Sequence, residues 1–565
     1  MELVDWIVLV VTLAAVIVYG LYKSRTSKDL DGYFLGNRTM PWWIVLLGVM
    51  GTQASAVTFL SLPGQAYVDG MRFVQFYFGL PLAMIVLCVT FVPIFHSLKV
   101  YTAYEFLEKR FDSRTRTFTA FLFLMQRGLS TGISIYAPAI ILSSLLNWNI
   151  YWTNLFMGGL LILYTVSGGA KAVAHTQKFQ LLVVFAGMAM AGYMVVNLMP
   201  EGIGFSDAVD LGDELGKMNT ITTGFTEEGF DWGDRYNIIS GIVGGLIFQL
   251  SYFGTDQSQV GRYLTAKSIK ESRMGLLMNG FVKIPMQFLI LLLGVLVFSF
   301  YMFTERPATF NKRQMEVLEN SEYSGLTAQL QKQYDSIQQQ KQQVVKLWMA
   351  DKENKELSAS IREHLQQEKV IQDSVKTLVT KVDPLAETND TNYIFLRFVI
   401  DYLPTGLVGL LIAVIFLAAW GSIAAALNSL SSSMVVDIHR KFTKKDRTAH
   451  EDYGLSKKYT FFWGVFCIVT AMFATRMGSL IEAVNILGSL FYGVILGIFL
   501  VAFYLKKVGA KAVFTSAVII ESIIIVLFIL NDQGVIRLGF LWLTAIGALA
   551  VPLLGWIIQN VRRQT

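Results

Sequence analysis

Charge is scarce in this chain, because Asp, Glu, Lys and Arg together make up 16% of its 565 residues. Soluble globular proteins carry about 25% charged residues, and a soluble chain of this length divides into separate domains. Cysteine is nearly absent: Cys88 and Cys467 both lie in apolar runs, so neither a disulfide framework nor a cysteine metal site is expected. The five histidines show no paired metal-binding spacing, and no nucleophile motif accompanies them. The composition excludes secreted, fibrous and nucleic-acid-binding proteins, and it argues against an enzyme.

Hydrophobic residues are abundant instead, at 54% of the chain, with 40 Phe and 46 Gly. A helix needs about 20 apolar residues to cross about 30 Å of hydrocarbon. Thirteen runs are predicted to be membrane-spanning helices, at 5–22, 42–66, 73–97, 118–146, 152–167, 178–199, 237–261, 275–303, 405–436, 459–475, 479–505, 512–530 and 539–560. The first has no basic segment before it, so we interpret it as a retained span and not a signal peptide. The pattern predicts an all-α polytopic membrane protein.

Basic residues are divided unequally between alternate loops. Of the 47 Lys and Arg, 27 lie in one set of loops, and five lie in the short loops of the other set. Loops rich in Lys and Arg stay in the cytoplasm. We therefore expect the N-terminus outside and the C-terminus in the cytoplasm, in the cytoplasmic (inner) membrane of a bacterium.

One stretch, 305–392, is polar and rich in Gln, Lys and Glu, with apolar residues at helical spacing on either side of a polar break at 351–356. This pattern predicts an extracytoplasmic helical hairpin. Two interpretations stay open: a solvated hairpin without a specific role, or a docking element for an extracytoplasmic partner. Because the stretch lies outside every predicted span, we expect removal of 310–390 to leave the protein's function largely intact.

Several motifs resemble the sodium/solute symporter family, which includes sugar, proline, iodide, multivitamin and monocarboxylate symporters. They are Tyr-Phe-Leu-Gly-Asn-Arg at 33–38 with Pro-Trp-Trp at 41–43, the segment 101–111, Tyr-Thr-Val-Ser-Gly-Gly at 164–169 and Gly-Thr-Asp-Gln-Ser-Gln-Val at 254–260. Two more, Ser-Ala-Val at 55–57 with Leu-Pro-Gly at 62–64 and Tyr-Ala-Pro-Ala at 136–139, are most similar to the monocarboxylate, iodide and multivitamin branch. Together they cover nearly all of the chain except 305–392.

The resemblance implies a LeuT-like core, in which spans two to six repeat with inverted topology as spans seven to eleven. The first helix of each repeat would be broken at the midplane, where half-helix ends bind ions and substrate. Residues that either break or pack these two spans are Gly48, Gly51, Pro63, Gly64, Gly241, Gly244, Gly245 and Gly254. The implied divisions are 1–39 (first span and cytoplasmic loop), 40–199 (first repeat, spans 2–6), 200–304 (spans 7–8), 305–392 (hairpin), 393–511 (spans 9–11) and 512–565 (spans 12–13 and tail).

The resemblance also implies one sodium site, formed by carbonyls of span two and by a carbonyl and hydroxyls of span nine. Alignment places the carbonyls at Gly51, Ala54 and Ala418 and a hydroxyl at Ser422. Neutral oxygen ligands suit a small hard cation. Sodium is therefore the expected coupling ion, and no other metal or cofactor is expected.

The chain departs from the family's sodium site at two places. Gly421 stands where the family has a hydroxyl residue. His-Thr-Gln at 175–177 stands where the family has a motif that ends in an acid, so Gln177 replaces that acid and Lys178 comes next. Either water and backbone complete the sodium site, or a titratable Lys178 or His175 replaces the ion and gives proton-coupled or uncoupled transport. Lys178 could also extend to cytoplasmic water without a special role. Alanines at 424–425 make a second sodium doubtful.

Two basic residues lie inside predicted spans, where charges are rare and usually functional. Lys283 matches a lysine of the bacterial sodium/galactose symporter that contacts sugar, and Arg127 lies in span four. Each either contacts substrate or has a charge role, or its long side chain reaches water from inside the span.

Other sugar-symporter positions are carried over one at a time. Tyr252 is the inner gate tyrosine, and Gln53 stands where an asparagine pairs with that tyrosine. The remaining substrate positions are Gln249, which replaces an asparagine, Tyr77, which replaces a glutamate, Thr58, which replaces a glutamine, and Asn485, which lies near Glu482 beside a polar sugar contact.

The sequence as a whole predicts a secondary active transporter for cation-coupled, most simply sodium-coupled, uptake of a small polar or anionic organic solute by alternating access. Its partners would be the solute and the lipid bilayer, with no nucleic acid. Two alternatives are a proton-coupled or uncoupled transporter in which Lys178 replaces the ion, and a transporter-like solute sensor that acts through a partner.

Overall fold

The structure, a computed structural model, describes residues 1–24, 38–98, 100–146, 148–384, 386–443, 449–474 and 478–564. At 17, 20–24, 167–179, 449, 450 and 564 it describes the backbone alone. The helices are α1 (Leu3–Ser24), α2 (Trp42–Gln53), α3 (Ala56–Asp69), α4 (Leu80–Val89), α5 (Phe91–Leu98), α6 (Tyr104–Arg110), α7 (Ser113–Leu146), α8 (Ile150–Asn197), α9 (Phe205–Glu214), α10 (Gly245–Thr255), α11 (Gln257–Tyr263), α12 (Ile269–Phe303), α13 (Lys312–Glu319), α14 (Ser324–Ala350), α15 (Lys355–Val382), α16 (Thr391–Tyr402), α17 (Leu407–Ser433), α18 (Arg440–Thr443), α19 (Ala449–Ala471), α20 (Leu480–Tyr504), α21 (Ala510–Asp532) and α22 (Phe540–Gln564). Two short strands, β1 (Phe225–Thr226) and β2 (Gly229–Phe230), pair antiparallel.

Long apolar helices confirm the predicted all-α membrane fold. Within the described residues, eight helical segments are long and apolar enough to cross a membrane, and three shorter apolar helices accompany them. The central helix is α17, which is buried along nearly its whole length and packs on α1, α7, α8 and α19. The count of thirteen spans stays a prediction.

The two runs predicted at 152–167 and 178–199 both fall within α8. Tyr164 stacks on Trp420, and a methyl group built on Gly187 would lie 3.0 Å from Leu411. If α8 were one straight helix, Tyr164 and Gly187 would lie about 35 Å apart. Their contacts on α17, Trp420 and Leu411, are nine residues apart, which is about 14 Å along that helix. The two halves of α8 therefore pack against the same part of α17, as two adjacent spans do.

The first helix of the predicted core is broken between α2 and α3. Ala54 and Ser55 have extended backbone, with ψ of 90° and 174°. The break does not occur at the glycines, since Gly51 stays in α2 and Gly64 stays in α3. A methyl group on Gly64 would lie 1.8 Å from the Thr391 carbonyl oxygen, so this glycine permits close packing of α3 on α16.

A second break separates α10 from α11 at Asp256, whose ψ is 118° and whose Oδ1 accepts a hydrogen bond from Ser258 N at 2.8 Å. Of the glycines expected either to break or to pack this span, two pack it. Gly241 and Gly245 pack closely against the carbonyls of Gln75 and Phe76. Two broken helices, each the first of its predicted repeat, fit the LeuT-like core.

The stretch 305–392 contains the predicted helical hairpin, formed by α14 and α15 with their own small apolar core. Arg306 and Tyr67 connect it to the end of α3, with 2.8 Å between Arg306 Nη1 and the Tyr67 hydroxyl oxygen. Lys352 and Arg362 form ion pairs with acidic residues of α9. The hairpin is therefore packed on the rest of the chain, and the effect of removing 310–390 stays a prediction.

Candidate functional site

A cavity of about 90 Å³ lies between the two helix breaks. Its walls are the end of α2, the start of α3, the 3₁₀ turn Gly70–Tyr77, and helices α7, α10, α17 and α20. Eight residues that the sequence predicted for the site line it, namely Gln53, Thr58, Tyr77, Arg127, Gln249, Tyr252, Ser422 and Asn485. The structure thus brings most of the predicted positions together from six distant parts of the chain.

Of the two sodium ligands predicted on α17, Ser422 lines the cavity and Ala418 lies one turn before it. The Ser422 hydroxyl donates to the Ala418 carbonyl at 3.0 Å, and Ser422 faces the cavity. At the first helix break, the carbonyls of Gly51 and Ala54 have no backbone N–H donor among the described residues. Carbonyl oxygens freed in this way, together with one hydroxyl, are the neutral donor set that suits Na⁺.

Arg127 is buried beside the cavity and does not extend to water. It forms an ion pair with Asp256, and its Nη2 lies 3.3 Å from the Tyr492 hydroxyl, which in turn donates to Asp256 at 2.7 Å. Its Nε is buried without a hydrogen-bond partner. Arg127, Asp256 and Tyr492 together connect the second helix break to α7 and α20. They hold the Arg127 guanidinium at the cavity wall.

Tyr252, at the position of the family's gate tyrosine, is paired with a nearby glutamine. The Tyr252 hydroxyl accepts a hydrogen bond from Gln259 Nε2 at 2.6 Å. The residues after the break at Asp256 turn Gln259 back towards Tyr252, seven residues earlier, and Gln53 instead faces the cavity with its Oε1 unpaired.

Several cavity amides have polar atoms without partners. Both polar atoms of the Gln249 side chain are buried and unpaired among the described residues, as are Asn485 Nδ2 and Gln126 Oε1. Buried polar groups are nearly always hydrogen-bonded, so these atoms are available to a polar solute or to water. Glu482, predicted near this contact, instead lies outside the cavity and pairs with Arg235.

Lys283 is fully buried in α12 and does not line the cavity. Its Nζ lies 5.8 Å from the centre of the Tyr77 ring, which forms part of the cavity wall. No carboxylate pairs with it in the described part of the chain. The side chains of Gln177 and Lys178 lie outside the described residues.

Comparisons with known proteins match this architecture. A family model described as "Sodium:solute symporter family" matches residues 33–323 and 378–536. The chain belongs to the sodium:solute symporter family. The sodium/sialic acid symporter SiaT of Proteus mirabilis is 24% identical over 98% of this chain and 94% of its own length. The human sodium-coupled monocarboxylate transporter 1 is 31% identical over 49% of this chain and 44% of its own length.

A solved structure of a Na⁺-coupled sialic acid symporter in a substrate-bound outward-open state matches the fold with a TM-score of 0.75. It is 22% identical and covers 99% of this chain and 98% of its own. This likeness confirms the LeuT-like fold.

Family membership confirms several sequence predictions. The chain is a membrane transporter, not an enzyme, and it couples uptake of an organic solute to sodium. Sequence reasoning gave no role to Asp256, Gln259 or Tyr492, which hold the second helix break in place. Asp256 did carry a signal, since it is an acid within an apolar segment and part of a matching motif.

Proposed function

We propose that the cavity binds one Na⁺ and a small anionic organic solute side by side. Sodium is held by the Ser422 hydroxyl and the carbonyls of Gly51, Ala54 and Ala418. The observation that carries the proposal is the cavity itself, which is lined by the Ser422 hydroxyl and by side-chain amides with unpaired polar atoms, next to a helix break that frees the carbonyls of Gly51 and Ala54.

The charge around the cavity favours an anion over a neutral sugar. Arg127 is the charged residue among those that line it, and Asp256 neutralises only that one cation. Lys283 lies behind Tyr77 without a carboxylate partner, and Arg262 is buried with its Nε donating to the Thr52 hydroxyl at 3.1 Å. A solute that carries a carboxylate would compensate this excess of positive charge.

Coupling follows from placing the ion and the solute in one small volume. A cation and an anion that share a poorly hydrated cavity attract each other, so each raises the affinity for the other. Gln53, Thr58 and Tyr77 from the first broken helix and its turn, with Gln249, Tyr252 and Asn485, would contact the solute. Residues on both sides of the first break and from the helix before the second break take part, which suits alternating access.

The finer localisation also remains our proposal. The distribution of Lys and Arg supports a bacterial cytoplasmic membrane with the N-terminus outside and the C-terminus in the cytoplasm. A partner for the 305–392 hairpin stays a prediction.

Purified protein in proteoliposomes tests the proposal. Labelled sialic acid, pyruvate and glucose are offered with an inward Na⁺ gradient, and with K⁺ in its place. We expect sodium to stimulate uptake of at least one carboxylate and not of glucose. Uptake of glucose alone would contradict the anionic assignment, and uptake driven by a pH gradient without sodium would favour the alternative in which Lys178 replaces the ion.

A further inference from the structure

A second cavity, of about 510 Å³, lies at the base of the 305–392 hairpin. Its walls are the ends of α7 and α15, the starts of α8 and α13, and part of α16. It shares no lining residue with the central cavity. With the N-terminus outside, as proposed above, it lies at the outer ends of the membrane helices. Its volume is that of a ligand pocket, and the transport cycle gives it no role.

The cavity lies where two membrane helices begin. Its lining includes Met1, just before α1, and Tyr151, in the first turn of α8, and these two apolar helices pack on each other. Trp148, Tyr151 and Trp152 are exposed at the start of α8, and such aromatic residues concentrate at membrane–water interfaces. Apolar side chains exposed further along α1 and α8 provide a surface for lipid chains: Val4, Ile7, Val10, Leu155, Phe156 and Leu163. The cavity is therefore at the level of the lipid headgroups.

Basic side chains in the cavity have donors to spare. Arg397 pairs with Asp401 at 2.7 Å, but its Nε is buried without a hydrogen-bond partner. Lys312 and Arg313 are exposed on the first turn of α13, and neither forms an ion pair within the described part of the chain. Arg and Lys are the side chains that bind phosphate best. Three of them around one cavity favour a phosphate group as part of its ligand.

Carboxylates line the same cavity, namely Glu316, Asp383, Glu387 and Asp401. Glu387 accepts hydrogen bonds from the hydroxyls of Tyr136 and Tyr393 at 2.9 Å and 3.0 Å, and burial raises its pKa to about 7. Three basic groups therefore face three carboxylates and a fourth that is partly protonated at neutral pH. Such a balance suits a ligand that carries both charges and is neutral as a whole.

We propose that this cavity binds the phosphoethanolamine headgroup of an outer-leaflet phospholipid. The phosphate contacts Lys312, Arg313 and the Nε of Arg397, the primary ammonium contacts the carboxylates of Glu316 and Asp383, and the acyl chains lie along α1 and α8. An anionic headgroup brings a phosphate without a cation for these carboxylates. A choline headgroup has no N–H to donate to them. The lipid fills the junction between the hairpin and the membrane helices, so its binding stabilises the folded protein.

The first experiment measures thermal unfolding in nanodiscs of phosphatidylethanolamine or phosphatidylcholine with the same acyl chains. We expect a higher unfolding temperature in phosphatidylethanolamine for the wild type. The double variant Lys312→Gln/Arg313→Gln should lose this difference without loss of folding, because both side chains are exposed. Lys332→Gln, also exposed but on α14 and outside the cavity, should keep it. Equal unfolding temperatures of the wild type in the two lipids, or an unchanged difference in the double variant, would overturn the site.

The second experiment uses native mass spectrometry to count lipids bound to delipidated protein after each lipid is added back. The wild type should retain phosphatidylethanolamine about tenfold more than phosphatidylcholine, because charge-assisted bonds to the ammonium are lost with choline. The double variant should retain both alike. Equal retention by the wild type, or a preference for phosphatidylglycerol, would contradict the headgroup assignment. Soluble phosphoethanolamine should not raise the unfolding temperature in detergent where the lipid does. If it does, the occupant is a free zwitterion and the lipid assignment is wrong.

Discussion

Replacing Glu368 should release the hairpin from the transporter core. Glu368 is fully buried and pairs with Lys341 at 2.6 Å and with Arg306. Arg306 also donates to the Tyr67 hydroxyl at the end of α3 and pairs twice with Gln338 of α14. Glu368→Gln removes the carboxylate charge and keeps the side-chain volume nearly unchanged. It leaves two buried cations, Lys341 and Arg306, beside each other.

The magnitude follows from this geometry. Breaking a buried ion pair by removing one partner costs about 3–5 kcal/mol, because the remaining charge stays in a medium of low dielectric. That loss lowers the docking equilibrium of the hairpin by about 150- to 5,000-fold. Burial and the nearby Arg306 lower the pKa of Lys341 to about 8, and Glu368 opposes this shift and favours the charged lysine.

Limited proteolysis and hydrogen exchange of α14 and α15 in the purified protein provide the assay. We expect fast cleavage and exchange in Glu368→Gln, with partial recovery in Glu368→Gln/Lys341→Met, which removes one of the stranded cations. The control is Lys352→Ala, because Lys352 is about one-third exposed in its pairs with Asp207 and Asp210 and such pairs contribute at most about 1 kcal/mol. If Glu368→Gln is as protected as Lys352→Ala, the buried network does not hold the hairpin.

Two further predictions concern packing and pH. Gly64→Ala should prevent correct folding or strongly lower the unfolding temperature, because the new methyl group would overlap the Thr391 carbonyl, whereas Gly159→Ala meets nothing within 4 Å and should be neutral or slightly stabilising. Normal expression and stability of Gly64→Ala would refute the close contact of α3 and α16. Burial raises the pKa of the Glu387 carboxyl from 4.5 to about 7, although three side chains donate to it. The folded protein therefore holds a proton that the unfolded chain has lost, so stability should fall as pH rises from 4.5 to 7, and Glu387→Gln should remove this slope in pH-dependent unfolding.

Hydropathy and helical spacing predicted the membrane fold well, because apolar length is a strong local signal. They did not predict the position of the helix breaks. The first break lies at Ala54 and Ser55, where the backbone is extended, while Gly51 and Gly64 remain helical. A glycine permits both a break and a close helix contact, and tertiary packing decides between them.

The cavity residues were predictable only through the resemblance, since they come together from six separate segments. Which residue pairs with Tyr252 depends on how the chain turns after Asp256, and no local pattern shows that direction. The docking of the hairpin did have a signal. Lys341 lies on the same helical face as the buried Tyr334, Val345 and Trp348, so a charge was placed within an apolar stripe and required a buried partner.

Sodium dependence of uptake in Ser422→Ala tests the central claim most directly. Ser422→Ala removes the one hydroxyl of the proposed ion site, whereas Ser429→Ala, on the same helix, removes a hydroxyl that donates to the Ala425 carbonyl and does not line the cavity. Proteoliposome uptake of a carboxylate solute is measured against sodium concentration for the wild type and both variants. We predict that the half-saturating sodium concentration rises about tenfold in Ser422→Ala and stays unchanged in Ser429→Ala. An unchanged sodium dependence in Ser422→Ala would contradict a sodium site between the first helix break and α17.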